Sequence, residues 1–225
     1  MGVKGGPNIP NWDTFDTMLD PSSKFSYSGT GFTFTNPLRQ NAGASDWLMD
    51  NALNNLVAGT GISKYVQQLS RQAFSQRITQ TMSKQSTIYS HYMVYRVSYT
   101  ADSSCAIQWN SFQGTNIGNN GNGTMYFYYN GTTYNSSGMA ITDGVWRHYA
   151  YILSGTACTL YINGEYAHTF SGWSTVTTAA NDTKMFDFPG SSGAIGLLWF
   201  KLGQADSATT VKRHFEAVKG RFGIR

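Results

Sequence analysis

The carboxylates of this 225-residue chain are not spaced as glycoside hydrolysis requires. A retaining glycosidase uses two carboxyl groups about 5 Å apart, one as the nucleophile and the other as acid and base. The sequence has two glutamates, Glu165 at a predicted hairpin tip and Glu216 in a predicted terminal helix. Asp13 and Asp16 are neighbours, but they belong to a predicted N-terminal arm. The pattern therefore predicts a protein that is not an enzyme.

Other catalytic patterns are also missing from the sequence. Its histidines are too widely separated to show zinc-ligand spacing. It has no nucleophile elbow, no P-loop and no dinucleotide-binding glycine pattern. Its two cysteines, Cys105 and Cys158, are interpreted as free buried thiols because no secretory signal precedes them, although the sequence leaves their pairing open.

Aromatic and amide side chains together predict sugar binding in two loops. A sugar needs an apolar platform with a few hydrogen-bonding groups around it. Residues 114–124 are rich in Asn and Gly and are predicted to form a loop, and a second polar loop contains a tryptophan. The candidate carbohydrate-binding residues are Trp109, Phe112, Asn116, Asn119, Asn120 and Trp173. The structural alternative is that Trp109 belongs to the core and that the Asn/Gly run is a flexible loop tip.

Residues 145–167 predict a run of antiparallel strands. Residues 145–153 are largely apolar on both sides of an extended chain, as in an inner strand. Asn163 and Gly164 predict a two-residue hairpin, because a type I′ turn needs positive φ at both positions. The predicted register pairs Ile162 with Glu165, Tyr161 with Tyr166 and Leu160 with Ala167.

Two motifs in this run carry a family resemblance. Trp146 and His148 match a Trp-x-His strand, and residues 160–164 match a Leu-Tyr-Val-Asp-Gly hairpin with Asn in place of Asp. In these motifs the chain resembles the laminin-G-like branch of the concanavalin A-like lectin/glucanase superfamily. The resemblance implies an all-β jelly-roll sandwich of two antiparallel sheets. Lectins, glycosidases, adhesion modules and virion proteins share this fold, so the fold does not choose the function.

The resemblance also implies a calcium site, because lectin relatives often bind one Ca²⁺ through carboxylate, amide and carbonyl oxygens. Spacing alone assigns no ligand. The candidate metal ligands are Asp143, Asp182 and Asp187. No other cofactor is predicted.

Charged residues make up 12% of the chain, about half of the usual share. Such an uncharged polar surface suits carbohydrate binding and dense protein lattices. The net charge is +4, and residues 201–225 account for all of it with six basic and two acidic residues. This concentration predicts a local feature of the tail and no nucleic-acid partner.

The two ends of the chain are predicted to differ from the middle. Residues 1–20 are predicted to form an extended arm, and residues 21–225 a single jelly-roll domain with a terminal helix over 208–219. Ser207 caps this helix and Gly220 ends it. Its predicted inner face consists of Val211, Phe215 and Val218.

Three earlier segments are less regular. Residues 46–57 have apolar positions at helical spacing and predict a short helix. Residues 63–84 fit either a helix or a strand, and residues 25–35 predict a hairpin.

The basic helix and the sequence Lys-Gly-Arg-Phe-Gly-Ile after it resemble the ends of laminin-G-like virion proteins of phages and other large DNA viruses. The resemblance implies assembly contacts in the arm and the tail. The candidates are Trp12, Phe15, Lys212, Arg213, Lys219 and Arg221. The alternative is a solvated helix face whose basic residues near the C-terminus the helix dipole favours.

The predicted function is therefore that of a non-enzymatic virion structural protein, such as a capsid-associated or decoration subunit, with other virion proteins or further copies of itself as partners. The alternative is a lectin-like carbohydrate-binding module that recognises surface glycans. The sequence shows no secretory signal and no apolar run that could span a membrane. The expected location is the virion or, for the alternative, the extracellular space or a cell surface.

Overall fold

The computed structural model shows two antiparallel β-sheets and one C-terminal helix. The structure describes residues 9–11, 14–23, 33–36, 47–49, 55–58, 64–68, 78–81, 86, 88–100, 104–109, 116–119, 125–129, 132–135, 144–172, 182–185 and 191–225. This arrangement confirms the predicted jelly-roll sandwich.

The first sheet, sheet A, has eight strands. They are β1 (Thr17–Leu19), β4 (Asn55–Ala58), β5 (Tyr65–Gln68), β7 (Ile88–Thr100), β12 (Arg147–Ser154), β13 (Ala157–Ile162), β14 (Glu165–Ser171) and β16 (Ser191–Leu202). Their order is β14-β13-β12-β7-β16-β5-β4, and β1 also pairs with β16. The two longest strands, β7 and β16, are neighbours at the centre.

The second sheet, sheet B, also has eight strands. They are β2 (Thr33–Phe34), β3 (Trp47–Met49), β6 (Ile78–Thr81), β8 (Ser104–Trp109), β9 (Asn116–Asn119), β10 (Met125–Tyr129), β11 (Thr132–Asn135) and β15 (Asp182–Met185). Their order is β11-β10-β9-β8-β15-β6-β3-β2.

Helix α1 (Ala208–Phe222) begins as the sequence predicts and ends three residues later than predicted. The Ser207 side chain accepts a hydrogen bond from the backbone N–H of Thr210 at 3.3 Å. The helix continues through Gly220 and ends at Gly223, whose φ of 63° is the left-handed value that favours glycine at this position. The predicted inner face of Val211, Phe215 and Val218 is confirmed as buried.

Both faces of sheet A are buried at strand β12. One face forms a single core with helix α1, and Ala150 and Ile152 of β12 belong to it. On the other face, Tyr149, Tyr151 and Leu153 of the same strand are also 0% exposed. Sheet A is therefore a middle layer between the helix and sheet B, which explains why residues 145–153 are apolar on both sides.

The hairpin between β13 and β14 confirms the predicted turn. Asn163 and Gly164 have φ values of 52° and 79°, as a type I′ turn requires. Tyr161 pairs with Tyr166, and their ring centroids are 6.3 Å apart in an edge-on arrangement. The next predicted pair is wrong, because a register shift after Leu160 places that residue opposite His168 instead of Ala167.

Part of the predicted N-terminal arm belongs to the sandwich. Strand β1 pairs with β16, although the domain boundary was predicted after residue 20. Phe15 is 1% exposed, and its ring lies 6.3 Å from the rings of Tyr92 and Trp199. A carboxylate oxygen of Asp16 accepts the backbone N–H of Leu202 at 2.5 Å.

A buried ion pair joins the N-terminal segment to helix α1. The Arg221 guanidinium donates two hydrogen bonds to the Asp20 carboxylate, and the Nη1–Oδ2 distance is 3.0 Å. The two side chains are 9% and 2% exposed. Both charges are therefore largely shielded from water, and each is stabilised by the charge of the other side chain.

The helix packs on sheet A through an aromatic layer that we define as Tyr92, His148, Trp199 and His214. The rings of Tyr92 and Trp199 stack at 5.2 Å, and His214 lies edge-on to Tyr92 at 4.6 Å. The Tyr92 hydroxyl donates a hydrogen bond to Asp206 at 2.6 Å. Burial, and then the Asp206 carboxylate, raise the pKa of Tyr92.

The histidines of this layer are held in the neutral form. Burial, and then the nearby His214, lower the pKa of His148 to about 3. Burial also lowers the pKa of His214, although Asp206 partly opposes this shift. Both ring nitrogens of His148 are buried without a hydrogen-bond partner among the described residues. Protonation would therefore place a charge in an apolar layer.

Several weaker sequence predictions differ from the structure. Residues 46–57, predicted as a helix, contain strands β3 and β4, because pairing with β2, β6 and β5 outweighs the helical spacing of three apolar residues. The ambiguous segment 63–84 contains strands β5 and β6. Of the hairpin predicted over 25–35, residues 25–32 lie outside the described part, and Thr33 and Phe34 form β2.

Arg221→Met is expected to lower the free energy of unfolding by about 3–5 kcal/mol, because it removes the guanidinium that balances the charge of the buried Asp20 carboxylate. Urea denaturation measures this loss. The matched control is Lys212→Met, which removes the exposed partner of Glu165 from the same helix. The control should leave the midpoint nearly unchanged. Equal losses in the two variants would contradict a special role for the buried pair.

Stability is expected to fall as the pH is lowered from 6.5 towards 3. The pKa of His148 is lower in the folded chain than in the unfolded chain, so the unfolded state binds more protons in this window. Each such histidine lowers the free energy of unfolding by roughly 1 kcal/mol for each unit by which the pH falls. His148→Phe should make the pH dependence shallower in urea denaturation at pH 7 and pH 5.

The matched control for that experiment is Phe215→Leu, since Phe215 contacts His148 at 5.9 Å and carries no titrating proton. It should lower stability by the same amount at both pH values. The expectation is overturned if His148→Phe retains the full pH dependence of the parent chain.

Candidate functional site

A line of polar residues crosses sheet B from strand to strand. Backbone pairing places one residue of each strand opposite the next. We call this line the polar row, and it consists of Thr133, Tyr128, Asn116, Gln108, Lys184 and Thr79. The register continues it to Leu48 of β3 and Thr33 of β2.

The neighbouring register line is apolar. It consists of Tyr134, Phe127, Ile117, Ile107, Met185, Ile78 and Met49. Because consecutive residues of a strand belong to opposite faces, the two lines lie on opposite faces of sheet B. This division between a polar and an apolar face is typical of an antiparallel sheet with one face in the core.

Strand β2 shows which face is the outer one. Phe34 is 0% exposed, whereas its neighbour Thr33 is exposed. Thr33 is in register with the polar row, so the polar row lies on the outer face of the sandwich. The register places two amide residues, a lysine, two threonines and a tyrosine at successive positions along one face of the sheet. These are the residue types that sugar hydroxyls and apolar ring faces require.

The register of sheet B places the described sugar-binding candidates in two different lines. Asn116 belongs to the polar row. Trp109 follows Gln108 in β8 and pairs with Thr183 of β15, so the register places it in the other line, with Ile107. Asn119 is two residues from Ile117 and shares that face at the end of β9. Phe112, Asn120 and Trp173 lie outside the described residues.

The loop predicted over residues 114–124 is wrong for its central part. Residues 116–119 form β9, which pairs with β8 on one side and β10 on the other. Asn and Gly are poor strand formers, but hydrogen bonding to two neighbours overrides that preference. Alternation in the strands on either side, with Gln108 beside Ile107 and Tyr128 beside Phe127, is the sequence signal that could have found the polar row.

The predicted calcium site stays a prediction. Asp182 is the first residue of β15 and pairs with Thr81 of β6. Asp143 and Asp187 lie outside the described residues. Among the residues that the structure describes, no group of three or more His, Cys, Asp or Glu side chains could hold a metal ion.

Three of the residues predicted as assembly contacts have close partners within the chain. Phe15 is buried in the core, and Arg221 pairs with the buried Asp20. Lys212 pairs with Glu165, whose hydrogen bond and charge raise the pKa of the lysine. These contacts join parts of the same chain, so the residues contribute to its own fold.

The remaining assembly candidates are less constrained. Lys219 pairs with Glu216 one turn earlier on the helix. Arg213 is exposed on the same helix, and Trp12 lies outside the described residues.

Two further findings concern the chemistry of the described part. Cys158 is a free, buried thiol, as predicted, and burial raises its pKa, so it is unreactive. No helix in the described ranges has the length and apolar character needed to cross a membrane.

Solved structures share the fold at low sequence identity. One is domain 4 of AbnA, a GH43 extracellular arabinanase from Geobacillus stearothermophilus, in complex with arabinotriose. Its TM-score is 0.67 at 16% identity, over 88% of this chain and 97% of that chain. Another is the binding domain of Paraclostridial Mosquitocidal Protein 1, with a TM-score of 0.63 at 13% identity, over 90% of this chain and 51% of that chain.

A third similar structure is that of botulinum neurotoxin type C, whose cell entry is dependent upon interaction with two ganglioside molecules. Its TM-score is 0.66 at 12% identity, over 92% of this chain and 51% of that chain. The chain thus spans about half the length of the two toxin chains that it matches. At these identities the likeness shows the fold.

The sequence comparisons are narrower. No curated protein matches the chain by sequence. The sequence model of the laminin G family of the concanavalin A-like lectin/glucanases superfamily matches residues 77–196, which are more than half of the chain and include the strand with Trp146 and His148 and the Asn163-Gly164 hairpin. The chain therefore belongs to the concanavalin A-like lectin/glucanases superfamily.

Proposed function

We propose that this chain is a carbohydrate-binding domain without catalytic activity, and that its ligand lies across the outer face of sheet B. The observation that carries the proposal is the polar row, which brings Asn116, Gln108 and Tyr128 together from three adjacent strands. Amides and hydroxyls form the paired hydrogen bonds that sugar hydroxyls need, and a tyrosine ring can cover an apolar sugar face.

The length of the row suits an oligosaccharide. Neighbouring strands are about 4.8 Å apart, so six strands extend over about 24 Å. An extended glycan could contact several strands at once, and each contact would contribute a small share of the affinity. The similar arabinanase domain, which was solved with arabinotriose, supports a ligand of this kind. The ganglioside dependence of the type C neurotoxin supports glycans more broadly.

The acidic residues support binding without hydrolysis. The polar row contains no carboxylate. Glu165 lies at the hairpin of sheet A and pairs with Lys212, whereas Glu216 lies on helix α1 and pairs with Lys219. Neither glutamate belongs to sheet B, so they cannot serve as the nucleophile and the acid for a ligand on its outer face.

The predicted role as a capsid-associated or decoration subunit stays a prediction. It rests on the missing catalytic pair, the low share of charged residues, the N-terminal arm and the tail sequence. The described tail residues Lys212, Lys219 and Arg221 have intramolecular partners. A glycan-binding domain is compatible with the predicted location on a virion or at a cell surface, where glycans are accessible. The proposal therefore retains that location and replaces the structural role with recognition.

A glycan array with and without Ca²⁺ should show saturable binding of the purified chain, and arabinotriose is the first single ligand for titration calorimetry. Asn116→Ala and Gln108→Ala should each weaken binding about two- to tenfold, since a net hydrogen bond contributes about 0.5–1.5 kcal/mol. The Ca²⁺ arm tests the predicted calcium site at the same time.

The matched control for Tyr128→Ala is Tyr166→Ala, which removes a 64% exposed tyrosine from sheet A. Tyr128→Ala should weaken binding and Tyr166→Ala should not. A blank array in both conditions would contradict the proposed function. Binding that survives all three substitutions in sheet B would contradict the site.

A further inference from the structure

Helix α1 is attached to sheet A by side chains. The strands of the sheet are joined to one another by backbone pairing, as along β7, β12 and β16. Among the described residues, no backbone hydrogen bond joins the helix to a strand. The helix docks through an apolar inner face that consists of Val211, Phe215, Val218 and Phe222. An element attached in this way can separate locally, without the loss of any strand pairing.

The contact between helix and sheet contains one histidine from each side. His148 belongs to β12 and is 0% exposed, and His214 belongs to helix α1 and is 2% exposed. The His148 ring lies 5.8 Å from the rings of both Tyr92 and Trp199. The His214 ring lies 4.6 Å and 6.1 Å from the same two rings. Two ionisable groups therefore share the aromatic layer between the helix and the sheet.

The described residues offer His148 no partner for a proton while the helix is docked. Neither of its ring nitrogens makes a hydrogen bond with them. The ring contacts the aromatic rings of Tyr92, Trp199 and Phe215. Burial, and then the nearby His214, lower its pKa to about 3. Water can hydrate a protonated His148 only when the helix has moved away from the sheet.

The environment of His214 opposes protonation less strongly. Burial lowers its pKa most, and the charge of Lys201 acts in the same direction. The Asp206 carboxylate and a hydrogen bond to the backbone carbonyl of Pro10 raise its pKa and so partly offset this effect. A proton on His214 would place a positive charge beside His148. The two protonations therefore oppose each other in the docked state and become independent when the helix is released.

We propose that the docking of helix α1 is a pH-sensitive switch: as the pH falls from 7 to 5, the helix separates from sheet A while the strands of both sheets stay paired. Separation lets water reach His148 and His214, and it exposes the inner face of the helix together with the rings that face it. At neutral pH the apolar contacts and the buried Arg221–Asp20 pair keep the helix docked. The switch lies on sheet A and does not depend on the glycan site proposed for sheet B.

The size of the effect follows from the protonation of the two histidines. A histidine with a pKa of about 6.5 when released and far below 5 when docked raises the ratio of released to docked helix about 25-fold between pH 7 and pH 5. His148 meets this condition. His214 adds a smaller factor, because Asp206 and Pro10 oppose the lowering of its pKa. The ratio should therefore rise by at least about 25-fold.

Hydrogen exchange measured by mass spectrometry at pH 7 and pH 5 tests the switch, with rates corrected for the intrinsic effect of pH. A 15-residue helix is only marginally stable alone in water, so its amides exchange once it leaves the sheet. Amide protection in residues 208–222 should fall about 25-fold or more at pH 5. It should also lie at least about tenfold below the protection of β7, which is lost only when the whole domain unfolds.

His148→Phe should remove about 25-fold of this fall, because phenylalanine keeps an aromatic ring in the layer but binds no proton. His214→Phe is a second variant and should remove a smaller factor. The matched control is His168→Phe, which removes a histidine of β14 that lies outside the aromatic layer and should retain the full fall. Circular dichroism at pH 7 checks that each variant is folded.

Two results would overturn the switch. Equal protection of helix α1 and β7 at pH 5 would mean that the helix is lost only with the whole domain. A fall in helix protection of the same size in the parent chain and in both variants of the aromatic layer would mean that other groups cause it. The comparison of the helix with β7 uses the parent chain, so it decides even where a variant does not fold.

Discussion

The fold depends on the contact between helix α1 and the aromatic layer of sheet A. This contact holds a tyrosine hydroxyl on the Asp206 carboxylate and keeps two histidines neutral in an interior without water. Burial of the apolar rings supplies the stabilising free energy, and the charged hydrogen bond between Tyr92 and Asp206 ties the segment before the helix to the sheet. The N-terminal segment contributes Phe15 to the same layer, so both ends of the described chain are needed to close it.

Helix α1 covers one face of sheet A, whereas the register of sheet B places its polar row and its apolar line on opposite faces. The low share of charged residues in the chain can be related to this arrangement. Most of the ionic residues near the helix are paired within the chain, such as Asp20 with Arg221, whereas the outer face of sheet B has amides and hydroxyls.

Sequence reasoning was most successful where local chemistry decides the structure. The Asn163-Gly164 turn, the strands around it and the start of the helix at Ser207 follow from φ preferences and capping, and all are confirmed. It failed where pairing between distant segments decides, as for the strand formed by the Asn/Gly-rich residues 116–119 and the strands within residues 46–57. The groove that Trp146, Asn163 and Phe222 line could not be predicted, since it needs segments almost 80 residues apart in the sequence to be brought together.

The central pairing of sheet A also constrains how the chain is made. Strand β7 pairs along its length with β16, about 100 residues later, and β1 pairs with that same strand about 180 residues after itself. During synthesis the apolar residues of β7 must wait for β16 to leave the ribosome, and the aromatic layer closes only after helix α1 follows. A chain whose main contacts are so distant in sequence folds slowly and exposes unpaired strand edges in the meantime.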